Sequence, residues 1–189
     1  AYEFNGYWKD VGTLGAYWES NMELVDIIPE FNLYEEFWKI YTQQNSIEPQ
    51  YLASTAKVSR AIIGAGDSIY GEVTNCVLGP GIVVEEGAVI KDSILMEGVH
   101  VKKNTYIEKA IIAENTVVGE SANIGVGEEK PSKLNAKIYA YGLATIGSNS
   151  SIPDNVIIGK NTAIHGKTEE GDYPNGRLES GGYIIKAGD

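Results

Sequence analysis

The sequence predicts a mainly β fold, a parallel β-helix of hexapeptide repeats that follows a short helix and a connector. Within residues 77–125, aliphatic side chains recur at intervals of 6, 6 and 5, so the same phase returns every 17 residues. Neither the period of an α-helix nor the alternation of a single strand produces this spacing. It is typical of a coil of three short parallel strands, one on each face of a triangular prism. The aliphatic positions are Leu78, Val84, Ile90, Leu95, Val101, Ile107, Ile112, Val118 and Ile124.

Two further positions of the repeat agree with this register. Small or β-branched residues, Cys76 among them, occur two positions before each aliphatic. Three positions after most aliphatics stands a residue suited to a tight corner, where φ is positive. These corner residues are Gly81, Gly87, Gly98, Asn104, Asn115 and Ser121. A later repeat has aliphatics at Ile146, Ile152, Ile158 and Ile164, with corners at Asn149, Asn155 and Asn161.

The handedness does not follow from the period. Parallel crossovers are almost always right-handed. Hexapeptide-repeat coils are, by resemblance, the left-handed exception, so we expect a left-handed parallel β-helix. Its predicted extent is from about Val58 to Ile164, with the coil interrupted near residues 125–142.

Composition limits the function classes. The formal net charge of −11 argues against nucleic acid or an anionic membrane as a partner. The single cysteine, Cys76, excludes an internal disulfide and is expected to be a core thiol. The sequence has neither an apolar run of transmembrane length nor a signal-peptide pattern. We expect a soluble, cytoplasmic protein.

The N-terminal residues predict a polar loop followed by a helix. Thr13 is a suitable N-cap, and Pro29 is expected to end the helix. One apolar helical stripe is formed by Leu14, Tyr17, Trp18, Met22 and Val25. By residue type alone, Asp10 would be a loop carboxylate that accepts hydrogen bonds from nearby amides.

The same loop resembles the segment that closes the catalytic domain of sugar-1-phosphate nucleotidyltransferases. The residues that carry the resemblance are Gly6-Tyr7-Trp8-Lys9-Asp10-Val11-Gly12-Thr13 and Tyr17-Trp18-Glu19-Ser20-Asn21. Within that family they are most similar to bacterial glucose-1-phosphate adenylyltransferases, as are later residues of the connector. The resemblance implies that Asp10 is a Mg²⁺ ligand and that Trp8 and Lys9 lie near the substrates. One or two carboxylates suit Mg²⁺ beside phosphate groups.

The resemblance also implies what the whole enzyme does. ATP and glucose 1-phosphate would give ADP-glucose and pyrophosphate for glycogen synthesis. The β-helix would support a homotetramer and help to form an allosteric site for phosphorylated metabolites, for which Lys160 and Arg177 are the candidate basic residues. The family's Gly-rich phosphate-binding loop has no match here, so we expect a C-terminal piece that is inactive alone.

The expected organisation has three parts. Residues 1–26 would be the end of the catalytic domain, and residues 27–57 an aromatic connector. Residues 58–189 would be the β-helix domain, including an insertion at 125–142 and a C-terminal tail. The connector is expected to be packed, because it is rich in aromatic residues: Phe31, Tyr34, Phe37, Trp38 and Tyr41.

Three alternatives remain open. The family resemblance also allows a guanylyl- or thymidylyltransferase. Hexapeptide coils also form the body of acyltransferases, for which His100 and His165 would be the catalytic candidates, although both are expected to point outward. The chain could also be a purely structural module, because fold alone does not decide function.

One face of the predicted coil carries apolar residues where solvent is expected. Ile94 and Ile111 are 17 residues apart and should stack, joined by Val77, while Ile157 is a further outward aliphatic. Such a stripe needs a cover, either the predicted helix or another subunit. We expect the chain to associate with itself, through the open ends of the coil and through such outward faces. In the alternative, the N-terminal helix and the connector cover the stripe and the chain is a monomer.

Overall fold

The computed structural model describes residues 1–39, 41 and 46–186, and it contains one α-helix and a three-faced parallel coil. The helix α1 is Leu14–Glu23. The strands are β1 Tyr51–Leu52, β2 Lys57–Ile62, β3 Ser68–Ile69, β4 Glu72–Leu78, β5 Val83–Val84, β6 Val89–Lys91, β7 Ile94–Leu95, β8 His100–Val101, β9 Tyr106–Glu108, β10 Ala110–Ile112, β11 Val117–Val118, β12 Asn123–Ile124, β13 Ala144–Ile146, β14 Ser151–Ile152, β15 Ile157–Ile158, β16 Thr162–His165, β17 Arg177–Leu178 and β18 Tyr183–Ile185.

The strands stack in three parallel rows. One row is a sheet of its own, in the order β1-β3-β5-β8-β11-β14. The other two rows, β4-β6-β9-β12-β15-β17 and β4-β7-β10-β13-β16-β18, form one sheet, because the long strand β4 runs across a corner and belongs to both. Each strand pairs with the strand one coil later, so the predicted parallel β-helix of hexapeptide repeats is confirmed.

The predicted aliphatic positions form the core. Every hexad aliphatic from Leu78 to Ile124, and each of the four in the later repeat, is between 0 and 2% exposed. The small positions are equally buried, and their hydroxyl groups are satisfied: Thr105 Oγ1 donates to Gly119 O at 2.7 Å, and Thr116 Oγ1 to Gly147 O at 3.0 Å. Burial raises the pKa of the Cys76 thiol to about 12, which confirms a core cysteine.

The predicted corner residues all have a positive φ. The values lie between 54° and 76° for the six corners of the first repeat, and Asn149, Asn155 and Asn161 have 55°, 61° and 54°. The pattern did not identify a second set of left-handed corners, which includes Asp92 at 49° and Lys109 at 50°. Both lie where two adjacent short strands of one coil meet.

The coil is longer than the hexad spacing predicted. Parallel pairing begins at Tyr51, and it continues to Ile185 through β17 and β18. Val73 is also buried in the core, between Ile69 and Leu78, where successive buried aliphatics are fewer than six residues apart. Leu52 is 50% exposed and Val58 is 36% exposed, since each belongs to the first coil and has a neighbouring coil on one side only.

Helix α1 covers the apolar stripe on the outside of the coil. Ile94 and Ile111 are only 2% and 4% exposed, because they pack with Met22, Leu143 and the helix side chains Leu14, Tyr17 and Trp18. Val77 lies against the same cluster. Of the two covers expected from sequence, the protein's own helix is the one observed.

The helix is shorter than predicted. It ends at Glu23 rather than continuing to Pro29, because the amides of Leu24 and Val25 bond to carbonyls three residues back and tighten the last turn. Arg60 holds this end of the helix to β2 through a 2.8 Å contact with the Asp26 carboxylate. Among the residues that the structure describes, no helix is long and apolar enough to span a membrane.

The prediction of a packed connector is wrong for most of its aromatic residues. Tyr34, Phe37, Trp38 and Tyr41 are 82 to 99% exposed. Short turns, such as the one closed by Asn32 Oδ1 and the amide of Tyr34, leave these rings with no apolar surface of the described chain to cover them. Phe31 alone is stacked, on Tyr7, with 5.1 Å between ring centroids. Ile40 and residues 42–45 of the predicted connector, and residues 187–189 of the predicted tail, lie outside the described residues.

Asp67 is a fully buried carboxyl group near the first corners of the coil. Its Oδ1 accepts a hydrogen bond from the amide of Ile82 at 2.8 Å, and its Oδ2 accepts one from the amide of Gly64 at 2.9 Å. These donors favour the charged form, but burial outweighs them and raises the pKa of Asp67 from 3.8 to about 6. The folded state therefore binds a proton here more tightly than the unfolded state does.

Replacing Val101 by Asp should destabilise the coil by several kcal/mol, because it buries an unpaired charge in the aliphatic stack. Urea unfolding monitored by circular dichroism measures the loss. Val117→Asp is the matched control: Val117 is the outward neighbour of Val118, which pairs with Val101. Similar losses in both variants would contradict the inward assignment.

The buried Asp67 predicts an unusual pH dependence. Because its folded pKa is raised, its contribution to the free energy of unfolding is largest at low pH and falls as pH rises through about 6. Between about pH 5 and about pH 7.5 the loss should be about 1.4 kcal/mol. Urea unfolding at both pH values should show this loss when wild type is compared with Asp67→Asn. A difference between the two proteins that stays constant with pH would rule out the elevated pKa.

Candidate functional site

The Asp10 loop, residues 6–13, leads directly into α1. Asp10 Oδ1 accepts a hydrogen bond from the amide of Gly12 at 3.0 Å, and a Cβ at Gly12 would lie only 3.1 Å from that oxygen. Thr13 is the N-cap, as predicted: its Oγ1 accepts from the amide of Ala16 at 3.1 Å. The carboxylate is thus turned by its own loop and remains exposed at the start of the helix.

Two residues beside Asp10 have different surroundings. Lys9 Nζ is 2.6 Å from Glu23 Oε1, which fastens the loop to the last turn of α1. The hydrogen bond to Glu23 raises the pKa of Lys9, so its ammonium stays charged at neutral pH. Trp8 is 72% exposed. Both residues were predicted to lie near the substrates. The ring of Trp8 is largely exposed, whereas the ammonium group of Lys9 is held in an ion pair.

The β-helix fixes the position of α1. Trp18 Nε1 donates to the carbonyl of Asp92 at 2.7 Å, and Lys109 Nζ lies 5.1 Å from the centroid of the Trp18 ring. At the start of the helix, Gly15 is buried against the ring of Tyr141. The loop that carries Asp10 is therefore placed by contacts that the coil makes with the helix behind it.

Asp10 fits the role of one metal ligand, although the described residues do not complete a site around it. In the described ranges, 1–39, 41 and 46–186, no group of three or more His, Cys, Asp or Glu side chains is arranged to hold a metal ion. One oxygen of Asp10 is oriented by Gly12 and the carboxylate is exposed, as a hard oxygen ligand for Mg²⁺ would need. A complete site would require ligands beyond these residues.

The two basic residues singled out near the C-terminus are placed differently. Arg177 lines a cleft of about 150 Å³ together with Glu128, Lys130, Glu179 and Ser180. Its Nε is 3.5 Å from Glu179 Oε1. The side chain of Lys160 does not line this cleft, although its amide donates to Ser180 Oγ at 3.0 Å.

The fold does not bring the two histidines together. His100 Nε2 is 2.7 Å from Glu85 Oε1, on the outer side of the strand that bears Val101. His165 lies on β16, with its Nδ1 close above Gly147. Both point outward, as expected, and they lie on different faces of the prism.

Several residues around these sites were not found by sequence reasoning. Glu23, Lys137 and Ile138 lie against the Asp10 loop or share a cleft with it, and Tyr141 lies against Gly15 just after the loop. Lys130 and Ser180 belong to the C-terminal cleft. Each is far along the chain from the group that it contacts. No local motif or spacing signals such a contact.

Comparisons with known proteins agree with this architecture. Residues 49–146, about half of the chain, match the family described as GlmU-like, C-terminal hexapeptide. A glucose-1-phosphate adenylyltransferase of Lachnospira eligens is 64% identical over 189 residues, which is 100% of this chain and 45% of the relative. Enzymes of the same name from Acetivibrio thermocellus and Thermotoga neapolitana are 44% and 51% identical over 100% and 98% of this chain, and over 44% of each relative.

The chain therefore spans a little under half the length of these curated relatives. The family match covers the stacked coils from residue 49 to residue 146, where the hexad aliphatics are buried and the corners are left-handed. By its sequence and its fold, the chain belongs to the GlmU-like C-terminal hexapeptide family, and it is similar over its whole length to glucose-1-phosphate adenylyltransferases.

Proposed function

We propose that this chain is the C-terminal part of a glucose-1-phosphate adenylyltransferase, which transfers the adenylyl group of ATP to glucose 1-phosphate and releases pyrophosphate. The observation that carries the proposal is the 64% identity to such an enzyme across all 189 residues, including the Asp10 loop. The ADP-glucose product would serve glycogen synthesis.

Within this reaction, Asp10 is proposed to contribute one Mg²⁺ ligand. When bound, Mg²⁺ would offset the negative charge that develops on the departing pyrophosphate. The chain's own contribution is positional: the Gly12 amide orients one oxygen of Asp10, and the capped start of α1 fixes the loop. Trp8 offers its exposed ring to the substrates, whereas Lys9 can reach a phosphate only by leaving Glu23.

The C-terminal cleft is the proposed regulatory site. Arg177 and Lys130 are its basic side chains, and Lys160 shapes it through its amide bond to Ser180. Glu128 and Glu179 lie in the same cleft, so a phosphorylated effector would have to displace the Arg177–Glu179 contact. Such an exchange of anionic partners would give an effector a means of changing the local structure.

The catalytic role of Asp10 can be tested in a chimera. The part of the Lachnospira eligens relative that this chain does not cover is joined in front of residue 1, and pyrophosphate release is measured with ATP and glucose 1-phosphate. We expect activity with ATP, no activity of the isolated chain, and a loss in kcat of about 10²-fold or more for Asp10→Asn. Glu3→Gln, which neutralises another exposed carboxylate of this segment, should have little effect.

Each outcome of that assay has a definite meaning. An Asp10→Asn chimera with full activity would overturn the metal-ligand role, and an active isolated chain would contradict its assignment as an incomplete part of the enzyme. Circular dichroism of the variants confirms that their folding is unchanged.

The proposal also includes self-association, which rests on the open ends of the coil. Tyr51 and Leu52 at one end, and Tyr183 and Ile185 at the other, are about half exposed. Strand edges of this kind need a partner. Sedimentation analysis should give an assembly larger than the 20.5 kDa monomer at about micromolar concentration. A single monomeric species would refute assembly through this part of the enzyme.

A further inference from the structure

The insertion, residues 125–142, leaves the coil after β12 and is tied back to it by one buried side chain. Asn161, 3% exposed, donates from Nδ2 to the carbonyl of Lys130 at 2.9 Å and to Glu129 Oε1 at 3.2 Å. Its Oδ1 accepts from the amide of Gly142 at 2.7 Å. The side chain thus holds the first part of the insertion and its last residue together.

A second contact holds the middle of the insertion. The amide of Lys133 donates to the carbonyl of Gly181 at 2.7 Å. Gly181 approaches the insertion so closely that a Cβ there would lie 2.2 Å from the carbonyl oxygen of Pro131. This segment is therefore a docked part of the β-helix rather than a free loop.

The end of the insertion rests on helix α1. The ring of Tyr141 lies over Gly15, where a Cβ would be 2.5 Å from Cδ2 of the ring. Tyr141 has a φ of 64°, which is uncommon for a bulky residue and requires support from its surroundings. The next residue is Gly142, whose amide is bonded to Asn161. A continuous series of contacts runs from Asn161 through Tyr141 to the first turn of α1.

The insertion also faces the Asp10 loop directly. Lys137 and Ile138 line a cleft of about 390 Å³ together with Val11, Gly12 and Thr13. Gly12 is the residue whose amide holds Asp10 Oδ1. The loop and the insertion therefore border the same cleft.

We propose that the insertion positions the Asp10 loop, and that it does so through two positioning residues, Asn161 and Tyr141. Asn161 keeps the insertion closed, and Tyr141 fixes the start of α1 by filling the space above Gly15. The significance for catalysis rests on the metal role proposed for Asp10, whereas the mechanical link depends only on the contacts described. Loss of either residue frees residues 9–17 without disturbing the stacked coils.

Hydrogen exchange of the chain itself tests the link. In Asn161→Ala and in Tyr141→Ala, amides of residues 9–17 should exchange about tenfold faster, while those of the hexad strands keep their rates. Asn155→Ala is the matched control, because Asn155 is a corner residue of the same coil with a φ of 61° and an exposed side chain. Tyr141→Phe should restore the wild-type rates, since the contact with Gly15 uses the ring.

Unchanged exchange of residues 9–17 in both alanine variants would overturn the proposal, as would an equal increase in Asn155→Ala. If Asn161→Ala does not fold, Tyr141→Ala still tests the link. That variant is expected to fold, because Tyr141 is half exposed and lies outside the coil core.

The catalytic consequence is measured separately in the chimera. Asn161→Ala and Tyr141→Ala should raise the apparent KM for Mg²⁺ severalfold, and Tyr141→Phe should not. Faster exchange with an unchanged KM for Mg²⁺ would mean that the insertion holds the loop without positioning the metal ligand, which overturns that part. A chimera without any activity would count against the proposed function, while the exchange result still judges the mechanical link.

Discussion

The structure depends on the narrow interior of a three-sided coil. Each face of a coil has room for one large aliphatic side chain pointing inward, and the corners use a backbone turn with positive φ. These two requirements recur in every coil. Because each coil is hydrogen-bonded to the next, a substitution that distorts one coil also destabilises the coils on either side of it. Buried hydroxyls such as those of Thr105 and Thr116 meet the same constraint, because each donates to a carbonyl of the following coil.

The outer surface departs from this regularity where helix α1 packs on the coil, next to the Asp10 loop. Ile94 and Ile111 are apolar on the outside, and α1 covers them with Met22 and Trp18. Since the Asp10 loop immediately precedes α1, the coil acts as the support on which that loop is placed. Helix α1 therefore packs as part of the β-helix, although by resemblance the motif of the preceding loop belongs to a catalytic domain.

Asn161 shows how a repeat position can acquire a second role. Its backbone makes the left-handed turn that every such corner needs, as in Asn149 and Asn155. Its side chain is buried and holds the insertion instead of facing solvent. The same backbone geometry thus serves the fold at two corners, and at the third it also connects the coil to the neighbourhood of Asp10.

The sequence by itself determined the coil, because a period of 17 residues and its corner residues are local properties that repeat. It also predicted the N-cap at Thr13 and the apolar stripe of α1, which depend on residues a few positions apart. Only the tertiary structure decided that α1 covers the stripe, that the aromatic connector stays exposed, and that Tyr141 rests on Gly15. These outcomes depend on which distant surfaces meet in space, and no spacing along the chain records that.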